Sequence, residues 1–205
     1  MPKMAKNKVS DNTCGSSRNR LELTSIHEGY SRDGKPVLAV SDVLDFIYPK
    51  TFQIPQEYAD RGTAVHIICE SLMNGYGVFD IPKDLLYYVD AFKAWLISIN
   101  WNAIRKEKVI TENKFTSKRN YGGKPDIIMP DRGWLVDIKT GIEQKARDHM
   151  QLVAYADQDA KLKLYNLYLK KDGTFRFIKR PYCRTMYRIF LCGVSILNYK
   201  GGINE

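Results

Sequence analysis

The segment that most restricts the fold of this chain is residues 134–139, WLVDIK, an apolar run that carries two charged side chains. Apolar runs of this length, bounded by turn residues, are typical of β-strands. Alternation along a strand places Asp137 and Lys139 on one face and Val136 and Ile138 on the other, which can be buried. The segment therefore predicts a packed sheet that holds two opposite charges at its edge.

A second carboxylate precedes this strand. Asp126 follows the sequence GGKP and begins another β pattern shortly upstream, as neighbouring strands of a hairpin require. Two carboxylates with open coordination positions suit Mg²⁺ or Mn²⁺, and a lysine beside them would orient water and stabilise charge on a phosphate. Asp126, Asp137 and Lys139 therefore predict a phosphodiester hydrolysis site. For Asp137 and Lys139 taken alone, a structural ion pair is the alternative.

The other hydrophobic patterns predict an α/β fold with a central mixed sheet flanked by helices. Apolar residues at helical spacing predict helices at residues 41–48, with Ser41 as N-cap, and at 56–73, 84–99, 145–160 and 184–199. Alternation and turn residues predict a hairpin over 21–40 and strands at 108–115, 121–129, 134–140, 163–170 and 174–180.

The predicted domain organisation is simple. Residues 1–20 are basic and polar and contain few large apolar side chains, so we expect a flexible basic arm. The rest of the chain contains no internal repeat or linker, and residues 21–205 are expected to form a single domain.

Charge and cysteine content narrow the class of protein. Lys and Arg number 32 against 23 Asp and Glu, a formal charge of +9 that favours nucleic acid as a partner. No apolar run is long enough for a membrane span and the N-terminus does not resemble a secretory signal, so we expect a cytoplasmic protein without a membrane partner. The scattered Cys14, Cys69, Cys183 and Cys192 are expected to be reduced thiols.

Four short motifs follow one another along about half of the chain. They are Arg61-Gly62-Thr63-Ala64-Val65-His66, Gly123-Lys124-Pro125-Asp126, Asp137-Ile138-Lys139, and Gln151 with Tyr155. This series resembles the RGTxxH, GxxD, DxK and QxxxY motifs of the PD-(D/E)xK nuclease superfamily, in the branch of the RecB and AddB nuclease domains, the CRISPR adaptation exonucleases and small phage exonucleases. The resemblance implies a restriction-endonuclease-like core.

The resemblance also implies a role for individual residues. His66, Asp126 and Asp137 would be metal ligands together with the carbonyl oxygen of Ile138, and Lys139 would be the catalytic lysine. An imidazole ligand would favour Mn²⁺, although either Mn²⁺ or Mg²⁺ would support activity. Without the resemblance, His66 would be interpreted as an ordinary helix histidine.

Gln151 and Tyr155 are four positions apart on a predicted helix, so they face the same direction. The resemblance implies that they position the DNA backbone or the catalytic lysine. Without it, Tyr155 would be interpreted as a partly buried core residue beside an exposed glutamine.

Several charged residues are supporting candidates. Glu70 lies one helical turn after His66 and would contact the metal through water or orient the imidazole, unless it is simply a solvated side chain. Glu112 would face the cleft if its strand is oriented suitably, which alternation does not decide. Basic residues that would hold DNA phosphates at the cleft are Arg61, Lys114, Lys118, Arg119 and Lys124, with Tyr121 among them. A later basic group, Lys161, Lys163, Lys170, Lys171, Arg176, Lys179 and Arg180, is interpreted as a solvated face.

The sequence thus predicts a metal-dependent DNA exonuclease that acts on single- or double-stranded ends in recombination, repair or replication, in the host cytoplasm if it is encoded by a phage. A structure-specific endonuclease similar to junction resolvases and a non-catalytic DNA-binding protein are the alternatives. Relatives with an iron-sulfur cluster have three late cysteines, whereas this chain has two, so no cluster is expected. Protein partners and the oligomeric state are left open.

Overall fold

The structure, a computed structural model, describes residues 29–49, 55–77, 80–157 and 159–201. The predicted arm at 1–20 and the first strand of the predicted hairpin lie outside these residues. The division into an arm and a single domain therefore stays a prediction. No helix in the described residues is long and apolar enough to cross a bilayer.

Six α-helices and two short 3₁₀ turns form within the described residues. The helices are α1 (Val40–Ile47), α2 (Gln56–Met73), α3 (Leu86–Ser98), α4 (Trp101–Ile104), α5 (Lys145–Ala156) and α6 (Arg184–Gly201), and the 3₁₀ turns are Lys83–Leu85, which precedes α3, and Pro130–Arg132. The prediction of Ser41 as an N-cap is wrong, because α1 begins one residue earlier and has no side-chain cap. Helix α5 ends before the predicted residue 160, because Asp157 adopts a left-handed backbone conformation with φ of 42°.

The main sheet has five strands in the order β10-β9-β8-β7-β4. Strands β8 and β9 are parallel and the other neighbours are antiparallel, so the predicted mixed sheet is confirmed. Strand β8 is the middle strand, so the expectation that its charged pair lies at the edge of the sheet is wrong. The strands are β4 (Ile110–Thr111), β7 (Ile127–Met129), β8 (Trp134–Lys139), β9 (Lys163–Leu169) and β10 (Phe175–Arg180).

A smaller sheet divides two of the predicted strands. Its order is β3-β6-β5, where β3 is Leu38–Ala39, β5 is Phe115–Ser117 and β6 is Tyr121–Gly123. The prediction of one strand over 108–115 is wrong because Glu112, with φ of 49°, breaks it into β4 and β5. The predicted strand 121–129 divides into β6 and β7 around Pro125, which has no N–H to donate to a strand partner.

Only the turn and the second strand of the predicted N-terminal hairpin lie within the described residues. A short antiparallel pair, β1 (Ser31–Arg32) with β2 (Lys35–Pro36), closes around Asp33-Gly34, both with positive φ. Strand β3 pairs in parallel with β6 of the smaller sheet. The turn is therefore where the sequence predicts it, and the segment that follows it has a partner that is distant in the chain.

Helices pack on both faces of the main sheet, which confirms the predicted fold class. Val136 and Ile138 of β8 face a core formed with α2 and α3, in which Trp95 is fully buried. Leu135 faces the opposite core, formed with α1, α5 and α6, where Phe190 is fully buried. Burial of each such large side chain stabilises the fold by roughly 1.5–3 kcal/mol.

Candidate active site

The centre of the candidate site is Asp126, which lies just before β7 and is 8% exposed. Its Oδ2 accepts a hydrogen bond of 2.6 Å from the backbone N–H of Ile138 on the neighbouring strand β8. Its Oδ1 lies 2.9 Å from Nδ1 of His66 on α2. One carboxylate therefore joins the GxxD segment, the DxK strand and the RGTxxH helix.

Glu112 reaches the same place through an unusual backbone conformation. Its φ of 49° ends the alternation of β4, and its N–H donates to the carbonyl oxygen of Asp126 across 3.0 Å. The side chain then lies with Oε1 3.8 Å from Nδ1 of His66. Nitrogen and oxygen atoms of His66, Glu112 and Asp126 all lie within 4.8 Å of one another.

These three residues lie along an open cleft with a volume of about 370 Å³. One wall is a face of α2, and Gly62 on this face approaches Thr140 closely, since a Cβ at Gly62 would lie 3.6 Å from the threonine hydroxyl oxygen. The cleft is lined by Ala59, Gly62, Thr63, His66, Ile67, Glu70, Glu112, Lys124 and Asp126.

A second polar group lies on the α5 side of β8. Nζ of Lys139 lies 2.8 Å from Oδ2 of Asp137 and donates to Oε1 of Gln151 across 2.8 Å. Nε2 of Gln151 donates in turn to the Tyr155 hydroxyl across 2.9 Å. Because residues four apart share a helix face, α5 presents Gln151 and Tyr155 together to the lysine.

Asp137 is 2% exposed and lies opposite Asn166 on the parallel strand β9. The Asn166 amide donates to Oδ2 of Asp137 across 3.3 Å, the same oxygen that faces Lys139. Within the described residues, Oδ1 of Asp137 receives no hydrogen bond. Asp137 is not part of the group formed by His66, Glu112 and Asp126. The two groups are connected by Ile138, which follows Asp137 in the strand and whose N–H donates a hydrogen bond to Asp126.

Opposite charges shift the pKa values in this site. Burial lowers the pKa of His66, but the carboxylates of Asp126, Glu112 and Asp137 together more than offset this, and the pKa rises from 6.5 to about 10. Burial raises the pKa of Asp126, but His66, Lys139 and the Ile138 N–H together outweigh it and hold the pKa below its usual value. Burial raises the pKa of Asp137 to about 6 despite the nearby Lys139. Burial lowers the pKa of Lys139, but the nearby carboxylates, chiefly Asp137, outweigh it and hold the pKa above its usual value.

The donor atoms of the site fit a hard divalent cation. Carboxylate oxygens suit Mg²⁺ and Mn²⁺, and one imidazole nitrogen among them is well suited to Mn²⁺. Asp126, Glu112 and His66 come from different segments and converge, and Asp137 has one carboxylate oxygen free of hydrogen bonds within the described residues. The arrangement can therefore hold a divalent ion beside a lysine ammonium group.

Two supporting candidates occupy different surroundings. Glu70 lines the cleft, and its Oε1 accepts a hydrogen bond of 3.3 Å from the Thr111 hydroxyl. Arg61 does not line the cleft: its guanidinium lies 4.5 Å from the centre of the Tyr58 ring and 5.8 Å from that of Tyr88. Of these two, only Glu70 lies beside the carboxylates.

The basic residues predicted at the cleft are also separated. Lys124 lines it and forms an ion pair with Glu112. Lys114 lies 5.8 Å from the centre of the Tyr30 ring, and Lys118 and Arg119 are exposed. Tyr121 is not a cleft residue, because it is fully buried and its hydroxyl donates to the carbonyl oxygen of Ala154 across 3.0 Å.

Sequence reasoning missed Asn166 and the role of Arg180. Asn166 is fully buried in β9, and its Oδ1 accepts from Nε of Arg180 across 3.1 Å. One feature of the sequence could have indicated Asn166, because it is a single amide between Tyr165 and Leu167 in an otherwise apolar strand. A buried amide of this kind needs a hydrogen-bond partner. Arg180 directly follows Lys179 at the charged end of its strand, a pattern typical of solvated residues.

The cysteines lie at three different levels of exposure. Cys69 is buried in α2, Cys183 is half-buried and Cys192 is exposed on α6, while Cys14 lies outside the described residues. The expectation of reduced thiols without an iron-sulfur cluster stays a prediction.

Comparisons with known proteins yield similar structures only. No family profile and no curated protein matches the chain. An alkaline exonuclease, LHK-Exo, from Laribacter hongkongensis is similar over 80% of this chain and 87% of its own, with a TM-score of 0.48 and 12% identity. A phage related exonuclease from Haemophilus somnus 129PT is similar over 78% of this chain and 90% of its own, with a TM-score of 0.41 and 10% identity. The structure of LHK-Exo in complex with dAMP is similar over 80% of this chain and 87% of its own, with a TM-score of 0.40 and 14% identity.

Proposed function

We propose that this chain is a metal-dependent deoxyribonuclease of the PD-(D/E)xK superfamily, in its RecB-like exonuclease branch. The observation that carries the proposal is the position of Lys139, whose ammonium group is held between Asp137 and Gln151 beside the cleft that contains Asp126 and His66. An ion pair with only a structural role has no need of a converging imidazole and additional carboxylates.

In this proposal His66, Asp126, Asp137 and the Ile138 carbonyl oxygen bind the metal, and Glu112 joins them because it lies in the same group. Mg²⁺ or Mn²⁺ bound there supplies Lewis-acid activation of a scissile phosphate. Lys139 orients the attacking water and stabilises the negative charge that develops on the phosphate. Gln151 fixes the direction of the lysine amine, and Tyr155 fixes Gln151.

DNA is the proposed substrate because the chain carries a formal charge of +9 and the cleft is open. Lys124 at the cleft would contact a phosphate. The preference for single- or double-stranded ends over internal positions rests on the sequence motifs. The proposed setting is recombination, repair or replication in the cytoplasm.

Two other functions can be distinguished from this one by a DNA-cleavage assay. A structure-specific endonuclease would use the same metal and lysine chemistry on branched DNA. A non-catalytic DNA-binding protein would have no need of Lys139 next to Asp137, so the intact pair favours catalysis.

The decisive assay compares linear, circular and branched DNA, single- and double-stranded, with Mg²⁺ or Mn²⁺. Wild type is expected to degrade linear DNA from its ends, while Asp137→Ala and Lys139→Ala lose activity by orders of magnitude. Glu57→Gln is the matched control, since Glu57 is exposed in the first turn of α2 and does not line the cleft. Cleavage of circles would replace the exonuclease assignment by an endonuclease. Full activity in both alanine variants would rule out this centre, and DNA binding without cleavage would favour the binding protein.

A further inference from the structure

A chain of hydrogen bonds runs across the main sheet from the candidate site to β10. It crosses three neighbouring strands, from Asp137 on β8 to Asn166 on β9 and Arg180 on β10. Asp137 and Asn166 are direct partners in the parallel register. The hydrogen-bond chain continues from Arg180 to Glu143, which lies in the loop that follows β8.

The chemistry of each group fixes the direction of every hydrogen bond. A guanidinium group only donates, so Oδ1 of Asn166 must face Nε of Arg180. An ionised carboxylate only accepts, so Nδ2 must face Oδ2 of Asp137. An aspartate at position 166 would present an acceptor to Asp137, and a leucine would present neither group. An amide is therefore the side chain that can connect these two neighbours.

Arg180 is itself held in place. Its side chain is 15% exposed, and its NH2 group donates to Oε1 of Glu143 across 2.7 Å and reaches the Tyr168 hydroxyl at 3.5 Å. Oε2 of Glu143 accepts from Arg176 across 2.9 Å. Arg176 is 51% exposed, and within the described residues it forms no hydrogen bond with Asn166. It therefore shares Glu143 with Arg180 without belonging to the hydrogen-bond chain.

The effect on Asp137 is specific to one oxygen. Asn166 and Lys139 both face Oδ2, which leaves Oδ1 free of hydrogen bonds within the described residues. Rotation of the carboxylate would break both interactions in a site where an unpaired buried polar group costs about 1–3 kcal/mol. The Asn166 amide thus selects one orientation of the Asp137 carboxylate, and Arg180 selects one orientation of the amide.

We propose that Asn166 and Arg180 are positioning residues that hold Asp137 with Oδ1 directed to the metal. This inference rests on the proposed function, because Asp137 is a metal ligand only in that function. Under this inference Arg180 is not one of the solvated basic residues, and its function requires no contact with DNA.

The test combines Asn166→Leu and Arg180→Met with the control Arg176→Met, which removes the other partner of Glu143. Calorimetric titration with Mn²⁺ alone is expected to show affinity reduced about tenfold to hundredfold in the first two variants, as for other groups that orient metal ligands. For DNA cleavage, kcat is expected to fall with KM unchanged. Arg176→Met is expected to match wild type in both measurements.

Three results would overturn the proposal. They are wild-type Mn²⁺ affinity in Arg180→Met, an equal loss of affinity in Arg176→Met, and a rise in KM alone, which would make Arg180 a DNA contact. If the variants do not fold, NMR of the Asn166 side-chain amide in the wild type tests the proposal. Slow hydrogen exchange of this amide supports the hydrogen-bond chain, and rapid exchange contradicts it. A wild-type protein that neither binds Mn²⁺ nor cleaves DNA would instead refute the proposed function, whatever the amide shows.

Discussion

The backbone N–H of Ile138 donates to Oδ2 of Asp126 across 2.6 Å. This hydrogen bond joins two motifs that are separate in the sequence and fixes the acidic group of one against the strand of the other. It also leaves Oδ1 of Asp126 to face His66. Each carboxylate oxygen therefore has its own partner, and replacement of one oxygen by an NH2 group is expected to disturb at least one of these contacts.

Asp126→Asn is expected to reduce DNA cleavage by at least about a hundredfold, because an amide is a poor metal ligand and retains only one acceptor oxygen for Ile138 and His66. The measurement is the rate of degradation of linear DNA at saturating Mn²⁺. Asp60→Asn is the control, since Asp60 is exposed on α2 and does not line the cleft. Activity of Asp126→Asn equal to that of wild type would show that this carboxylate is not part of a catalytic centre.

Lys124→Met is expected to change two affinities in opposite directions. The Lys124 ammonium group is paired with Glu112, so its removal should free that carboxylate and strengthen Mn²⁺ binding. The same change should weaken DNA binding by removing a cation from the cleft. Calorimetry with Mn²⁺ and a DNA-binding titration measure the two effects. Lys118→Met, an exposed lysine that does not line the cleft, should leave Mn²⁺ affinity unchanged. Weaker Mn²⁺ binding in Lys124→Met would contradict the expectation.

The pKa of His66 predicts how stability depends on pH in chelator-treated protein. The folded-state pKa of about 10 lies above the unfolded value near 6.5, so the folded state binds more protons between these values. The stabilisation is complete below pH 6.5 and is lost as the pH rises to 10, by up to about 1.4 kcal/mol per pH unit. Urea unfolding of wild type and His66→Gln across this range measures it. A pH dependence retained fully in His66→Gln would assign the effect to another group.

Gly123→Ala is expected to disturb the site through packing. An added Cβ would lie 2.6 Å from Cε1 of Tyr155 and 3.0 Å from a ring carbon of Phe115, so the tyrosine that orients Gln151 must shift. Overpacking of this kind typically costs about 1–3 kcal/mol, and cleavage should fall with it. Gly141→Ala is the matched control, because no atom lies within 4 Å of its added Cβ. Thermal unfolding and DNA cleavage rates provide the measurements, and equal behaviour of the two variants would exclude this packing constraint.

Much of the architecture could be predicted because local patterns determine it. The helical spacing of apolar residues at 56–73 matches α2, and the apolar run at 134–139 matches β8. These elements bury continuous apolar faces, so the favourable burial follows directly from the order of residues. The division of residues 108–115 and 121–129 between two sheets was not predicted, because strand pairing depends on distant partners.

The chemical groups of the site follow directly from the order of residues: the imidazole of His66, the carboxylates of Asp126 and Asp137, and the amine of Lys139. This order also placed Asp137 and Lys139 on one face of a strand, because alternation is a local property of the backbone. Tertiary structure alone decided that Glu112 joins His66 and that Asn166 connects Asp137 to Arg180. The physical reason is that hydrogen bonds and ion pairs depend on distances between atoms, and these distances are set by the left-handed turn at Glu112 and by the register of β8 with β9.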